Sequence, residues 1–131
     1  MFKLKNVSKE IKKIMQVKRC RIPKEECTLT ALAKLNGRVY VYCGDWKTQQ
    51  QFIEDAENEY FYYGDGVPLL ERKPESVMAL NRDNTVNFIG FVGTIAFHQV
   101  DHLGSGKDAI PLIKVDYRKY IAGYQDFIYE P

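Results

Sequence analysis

Apolar residues recur at helical spacing from the start of the chain: Val7, Ile11, Ile14 and Met15, with the aliphatic stem of Lys18, lie opposite Lys9, Lys12, Lys13 and Arg19. With Ser8 as N-cap, this pattern predicts a basic amphipathic helix over residues 8–19. Pro23 breaks it. A second helix is expected over 24–35, with Leu29, Leu32, Ala33 and Leu35 on one side and Asn36-Gly37 as its stop. The periodicity then changes. Residues 38–43 (RVYVYC) are β-branched and aromatic, which predicts a strand ended by Gly44. Asp45 caps a third expected helix, whose stripe runs through Trp46, Gln49, Ile53, Ala56 and Tyr60 while Glu54, Asp55 and Glu57 face water.

Gly64-Asp65-Gly66 with Pro68 and Pro74 marks a loop. Residues 76–81 and 85–92 flank the turn Arg82-Asp83-Asn84, and together they predict a β-hairpin. Residues 94–103 fit either a strand or a short helix. Residues 110–117 read as a further strand, with Pro111 near its start as an edge strand permits. Over 118–129, Tyr120, Ile121, Tyr124, Phe127 and Ile128 return to helical spacing, interrupted by Gly123. The expected fold is a single α+β domain over residues 1–131, with N-terminal helices packed on a small antiparallel sheet. Its basic helical segment covers about residues 1–35, and its hairpin-containing sheet region about 76–117.

A chain of 131 residues supports one ordinary core. Its longest mostly apolar stretch, residues 87–97, is too short for a membrane span. The N-terminus lacks the apolar block of a secretory signal, and the three cysteines, Cys20, Cys27 and Cys43, are odd in number and match no zinc half-site. These features predict reduced thiols and a cytoplasmic location. Charge changes the picture more than composition does. The net charge of +2 divides into +8 over residues 1–24, where nine Lys and Arg meet only Glu10, and −6 over the remaining 107 residues. Residues 45–75 alone hold eight acids against Lys47, Arg72 and Lys73. Such asymmetry points to an anionic partner for Lys9, Lys12, Lys13, Lys18, Arg19 and Arg21, or to mutual neutralisation of the two segments.

Both histidines fall in one string, His98-Gln99-Val100-Asp101-His102-Leu103. If that string is helical, residues i and i+4 share a face, as metal ligation requires; in a strand they stand roughly 13 Å apart. The string resembles the H-E-x-D-H-L motif of peptide deformylases, and the resemblance implies that His98 and His102 bind a metal. Gln99 occupies the place of that family's general base and cannot accept a proton at neutral pH. The family's E-G-C-L-S and G-x-G-x-A-A-x-Q segments are absent. Gly104-Ser105-Gly106-Lys107 lacks the upstream glycine and following Ser or Thr of a phosphate loop; Asp101 and Asp108 stand there instead.

Nine tyrosines complete the inventory. Tyr40 and Tyr42, separated by Val41, put their rings on one side of the expected strand, either as a binding face or as the covered face of the sheet. Three readings follow. The first is a non-enzymatic interaction protein, an inhibitor, adaptor or assembly subunit, docking a protein partner through the basic helix and the tyrosine surface, with no cofactor. The second is nucleic-acid binding through the basic segment. The third is a small metal-dependent hydrolase with a degenerate His98/His102 site.

Overall fold

The computed structural model describes residues 28–130. The expected helix over 8–19, with Lys9, Lys12, Lys13, Lys18, Arg19 and Arg21, lies outside the described residues, as do Cys20 and Cys27. Helix α1 (Leu29–Ala33) starts where its free amides find acceptors. The Thr28 hydroxyl accepts from Ala31 N–H at 3.1 Å, and the Glu59 carboxylate accepts from Leu29 and Thr30 N–H at 3.0 and 2.9 Å. Leu29, Leu32 and Ala33 are buried. Strand β1 (Arg38–Tyr42) follows. Asp45 then accepts from Thr48 N–H at 2.8 Å and caps α2 (Trp46–Asn58), which buries Phe52, Ile53 and Ala56, while Glu54 faces water. Trp46 and Tyr60, at the ends of the expected stripe, are exposed instead, and Asp55 and Glu57 are half-buried, Asp55 accepting from the Tyr117 hydroxyl.

Strand β2 (Tyr62–Tyr63), a short 3₁₀ turn at Leu69–Glu71, and the hairpin of β3 (Val77–Leu80) and β4 (Thr85–Phe88) come next. Asn84 takes a left-handed φ of 62° in the hairpin turn. The second hairpin strand ends at Phe88 rather than at residue 92, because Gly90 turns left-handed at φ 71° and opens α3 (Gly90–Gln99). Strands β5 (His102–Leu103) and β6 (Ile110–Asp116) and helix α4 (Tyr117–Ile121) close the order.

The sheet corrects the expected fold. Its six strands run β2-β4-β3-β1-β6-β5 and are mixed, not antiparallel. β1 pairs parallel with β6, from Arg38↔Leu112 to Tyr42↔Asp116, and β2 pairs parallel with β4, while β1–β3, β3–β4 and β5–β6 are antiparallel. Nor are the helices gathered at the N-terminal end, since α3 and α4 lie in the C-terminal half. Alternation within a strand reports which face is buried and says nothing of a neighbour's direction; the β1–β6 contact is made by residues more than 70 apart. Strand β6 lies between β1 and β5 instead of at an edge. Pro111 is accommodated because it precedes the first residue paired with β1, so its missing N–H removes no rung there.

The expected helix over 118–129 also differs. α4 stops at Ile121, Gly123 reverses the chain at φ 88°, and the tail runs extended along β6. Asp116 N–H donates to Phe127 O at 2.7 Å and Tyr129 N–H to Lys114 O at 2.8 Å. Phe127 and Ile128 pack on the larger core and Tyr129 on the opposite face of the sheet; residues two apart share a face in a regular strand, so this tail, bridged to β6 only at Val115↔Ile128, is not one.

Two cores result. The larger, on the face carrying α1, α2 and α4, contains Val39, Val41, Phe52, Tyr63, Met78, Val115 and Tyr117. The smaller, on the opposite face, contains Tyr40, Val77, Ala79, Leu112 and the α3 residue Phe97. Among the described residues no helix is long and apolar enough to cross a membrane.

Candidate docking surface

Residues 84–100 contain no Lys, Arg, Asp or Glu, and α3 occupies the middle of this run. A helix resting on a sheet ordinarily has one apolar stripe and one charged face. α3 has apolar residues all round. Phe97 points into the smaller core and is fully buried, stacked on Tyr42 at 6.0 Å between ring centroids and tilted against Tyr129 at 4.8 Å. On the other side of the same helix Phe91 and Val92 are 81% and 78% exposed, and Ile95 is 40% exposed. These residues fall within about 100° of arc at 100° per residue, so they form one stripe facing water.

A groove of about 630 Å³ runs between this stripe and the start of α2. Phe91 and Thr94 of α3, Trp46 and Gln49 of α2 and Val77 of β3 contribute to its lining. Trp46, the single tryptophan of the chain, is 66% exposed there because the Asp45 cap fixes the first turn of α2 at the end of the sheet. That cap holds the Asp45 carboxyl below the usual range, chiefly through the hydrogen bonds from Thr48. Lys73 and Glu75 at the groove are of opposite sign. The arrangement offers aromatic and aliphatic surface, neutral hydrogen-bonding groups and no net charge, a composition suited to a protein surface and poorly suited to a polyanion.

The sequence-derived candidates fall elsewhere. Tyr40 and Tyr42 do share a side of β1, and that side is covered: Tyr40 is buried in the smaller core. The Tyr42 ring is half-buried under Tyr129, at 4.6 Å between centroids, and under the Arg118 guanidinium at 4.9 Å. Arg118 is itself clamped by Asp116 through Nε and a terminal nitrogen, each at 3.2 Å, and these bonds raise its pKa. Lys114 sets its ammonium 5.6 Å from the Phe97 centroid, and burial lowers its pKa.

His98 and His102 belong to different elements. α3 ends at Gln99 and Val100 is extended, so His102 lies on β5. His98 packs edge-on against Phe97 and Tyr129, while His102 Nδ1 lies 2.8 Å from Asp101, a contact that lowers the Asp101 pKa. Among the described residues no group of three or more His, Cys, Asp or Glu is gathered as a metal site would need. The Cys43 thiol is free and buried, and burial, reinforced by Asp116 and Asp45, pushes its pKa up; a thiol held protonated is no nucleophile at neutral pH.

Phe91, Val92, Ile95 and Trp46 were not marked by any motif. The signal that could have found them is the absence of charge over residues 84–100 combined with the helical alternative for the segment, since a surface helix without a polar face must be covered by something. No protein-family model, curated protein or solved structure matches the chain.

Proposed function

We propose that this protein is a non-enzymatic, intracellular interaction module that docks another protein through the apolar face of α3 and the groove beside it. One observation carries the reading: a ten-residue helix without a charged side chain is anchored through Phe97 and leaves Phe91, Val92 and Ile95 in water. Contiguous exposed apolar surface is unfavourable to keep in a monomer and marks interaction sites. The buried reduced thiol of Cys43 agrees with an intracellular setting.

The test is the size of the native protein in extracts of cells that make it. The wild-type chain should elute well above its own 15.2 kDa, and Phe91→Asp should elute at that mass with an unchanged far-ultraviolet spectrum. A wild-type chain already eluting at 15.2 kDa would remove the reading.

The basic segment supports a second reading, nucleic-acid binding through Lys9, Lys12, Lys13, Lys18, Arg19 and Arg21, with little sequence preference. Six phosphate contacts on duplex DNA would give a slope of log K against log salt of about −5. Affinity that does not change with salt would dispose of it.

A further inference from the structure

We infer that the protein docked on α3 is a second copy of this chain, the two α3 helices packing face to face about a twofold axis. The inference rests on the docking reading above and names its partner. In a twofold contact a patch meets itself, so any net charge on the patch repels its own image. The α3 patch satisfies this condition. Residues 84–100 carry no formal charge, and the groove beside them adds only Lys73 and Glu75, which cancel.

The chain as a whole is charged. Residues 28–131 hold ten Lys and Arg against fourteen Asp and Glu, and residues 1–24 carry +8. A strongly charged occupant, including the chain's own basic segment, would find no complementary charge on α3. An uncharged, apolar surface needs none, and α3 is such a surface.

The area agrees with a weak dimer. At 150–250 Å² per aromatic side chain, the exposed parts of Phe91 and Trp46 leave roughly 300 Å² in water. Val92 and Ile95 bring the apolar patch to about 500 Å² per copy, and two copies would bury about 1,000 Å², the lower edge of specific interfaces. The uncharged polar groups around it, Gln49, Thr94 and Gln99, can hydrogen-bond in either orientation. An interface of this size belongs with the weak ones.

Charge placed at Val92 tests the symmetry directly. Val92 is exposed, so Val92→Glu and Val92→Lys should keep the far-ultraviolet spectrum of the wild type and, at concentrations where all are monomeric, its thermal midpoint. Purified full-length wild type should sediment at twice 15.2 kDa at high micromolar concentration. Each variant alone should dimerise at least tenfold more weakly, because like charges meet across the axis, and an equimolar mixture of the two should recover the dimer. Wild type that stays at 15.2 kDa throughout, or a mixture no tighter than either variant alone, would overturn the inference. If the purified chain is monomeric while Phe91→Asp still dissolves an assembly in extracts, the twofold contact is refuted and a different protein occupies the face. If neither assembly exists, both readings fall together.

Discussion

Replacing Phe97 with alanine removes the residue that attaches α3 to the sheet. The ring is fully buried and belongs to the smaller core with Tyr40, Val77, Ala79 and Leu112. It stacks on Tyr42, tilts against Tyr129 and lies under the Lys114 ammonium. Phe→Ala at a closed site costs about 3–5 kcal/mol through lost burial and the cavity left behind. A value near 4 kcal/mol is expected, since the ring is held on several sides and α3 has only this one fully buried side chain. Phe91 is the control within the same helix. In the monomer it is mostly in water, so at concentrations too low for the dimer Phe91→Ala should change stability by no more than about 0.5 kcal/mol. Equilibrium unfolding in urea, followed by far-ultraviolet dichroism and by the single Trp46, measures both. With a slope of about 2 kcal/mol per molar, the Phe97 variant should lose about 2 M in midpoint and the Phe91 variant should be indistinguishable from wild type. A Phe97→Ala cost below about 1.5 kcal/mol, or a Phe91→Ala cost equal to it, would refute the assignment of inward and outward faces on which the docking surface depends.

Glu59 receives two backbone N–H groups of α1 and the Thr30 hydroxyl, at 2.8–3.0 Å, so Glu59→Ala should cost about 2 kcal/mol in urea unfolding, whereas the exposed Glu54→Ala should cost almost nothing. Alkaline pH should destabilise the fold in two steps. Burial raises the pKa of Cys43 above its ordinary 9.0 and, with the hydrogen bond to Asp55, that of Tyr117 above its ordinary 10.0. Both groups therefore contribute stability that is fully present below their unfolded values and is lost as pH rises toward the folded ones. Unfolding free energy should fall by about 1.4 kcal/mol per pH unit above 9 and about twice that above 10. Cys43→Ala should abolish the first slope and Tyr117→Phe should reduce the second, to which Tyr63, also raised by burial, contributes, and a flat profile between pH 9 and 10.5 would contradict both.

The elements with local causes were legible in the sequence. The Asp45 cap followed by a stripe through Ile53 and Ala56 marked α2, and Arg82-Asp83-Asn84 between two apolar runs marked the hairpin. Strand β1 was readable from its β-branched and aromatic content. What the sequence did not reveal depends on partners distant in the chain. The parallel pairing of β1 with β6 joins Tyr40 to Lys114, and no local pattern encodes the direction of that neighbour. Residues 127–129 read as helix because Phe127 and Ile128 continue a helical spacing, yet Gly123 turns the chain and the part of β6 beyond its pairing with β5 takes up its backbone. The ambiguity over residues 94–103 had a physical origin: a helix apolar on every side carries no periodicity to detect. The same property that hid α3 from pattern reading makes it the best candidate surface, and it turned Tyr40 and Tyr42 from candidate binding residues into the floor beneath it.

Photo-crosslinking in cells addresses the central claim most directly. A photoreactive phenylalanine analogue placed at position 91 or 95 of the full chain lies on the α3 face, and one placed at position 54 lies on the exposed, acidic side of α2. The docking account predicts a discrete protein adduct at 91 and 95, lost when Val92 is replaced by Glu, and none at 54. Adducts of equal yield at all three positions, or none on α3, would contradict it.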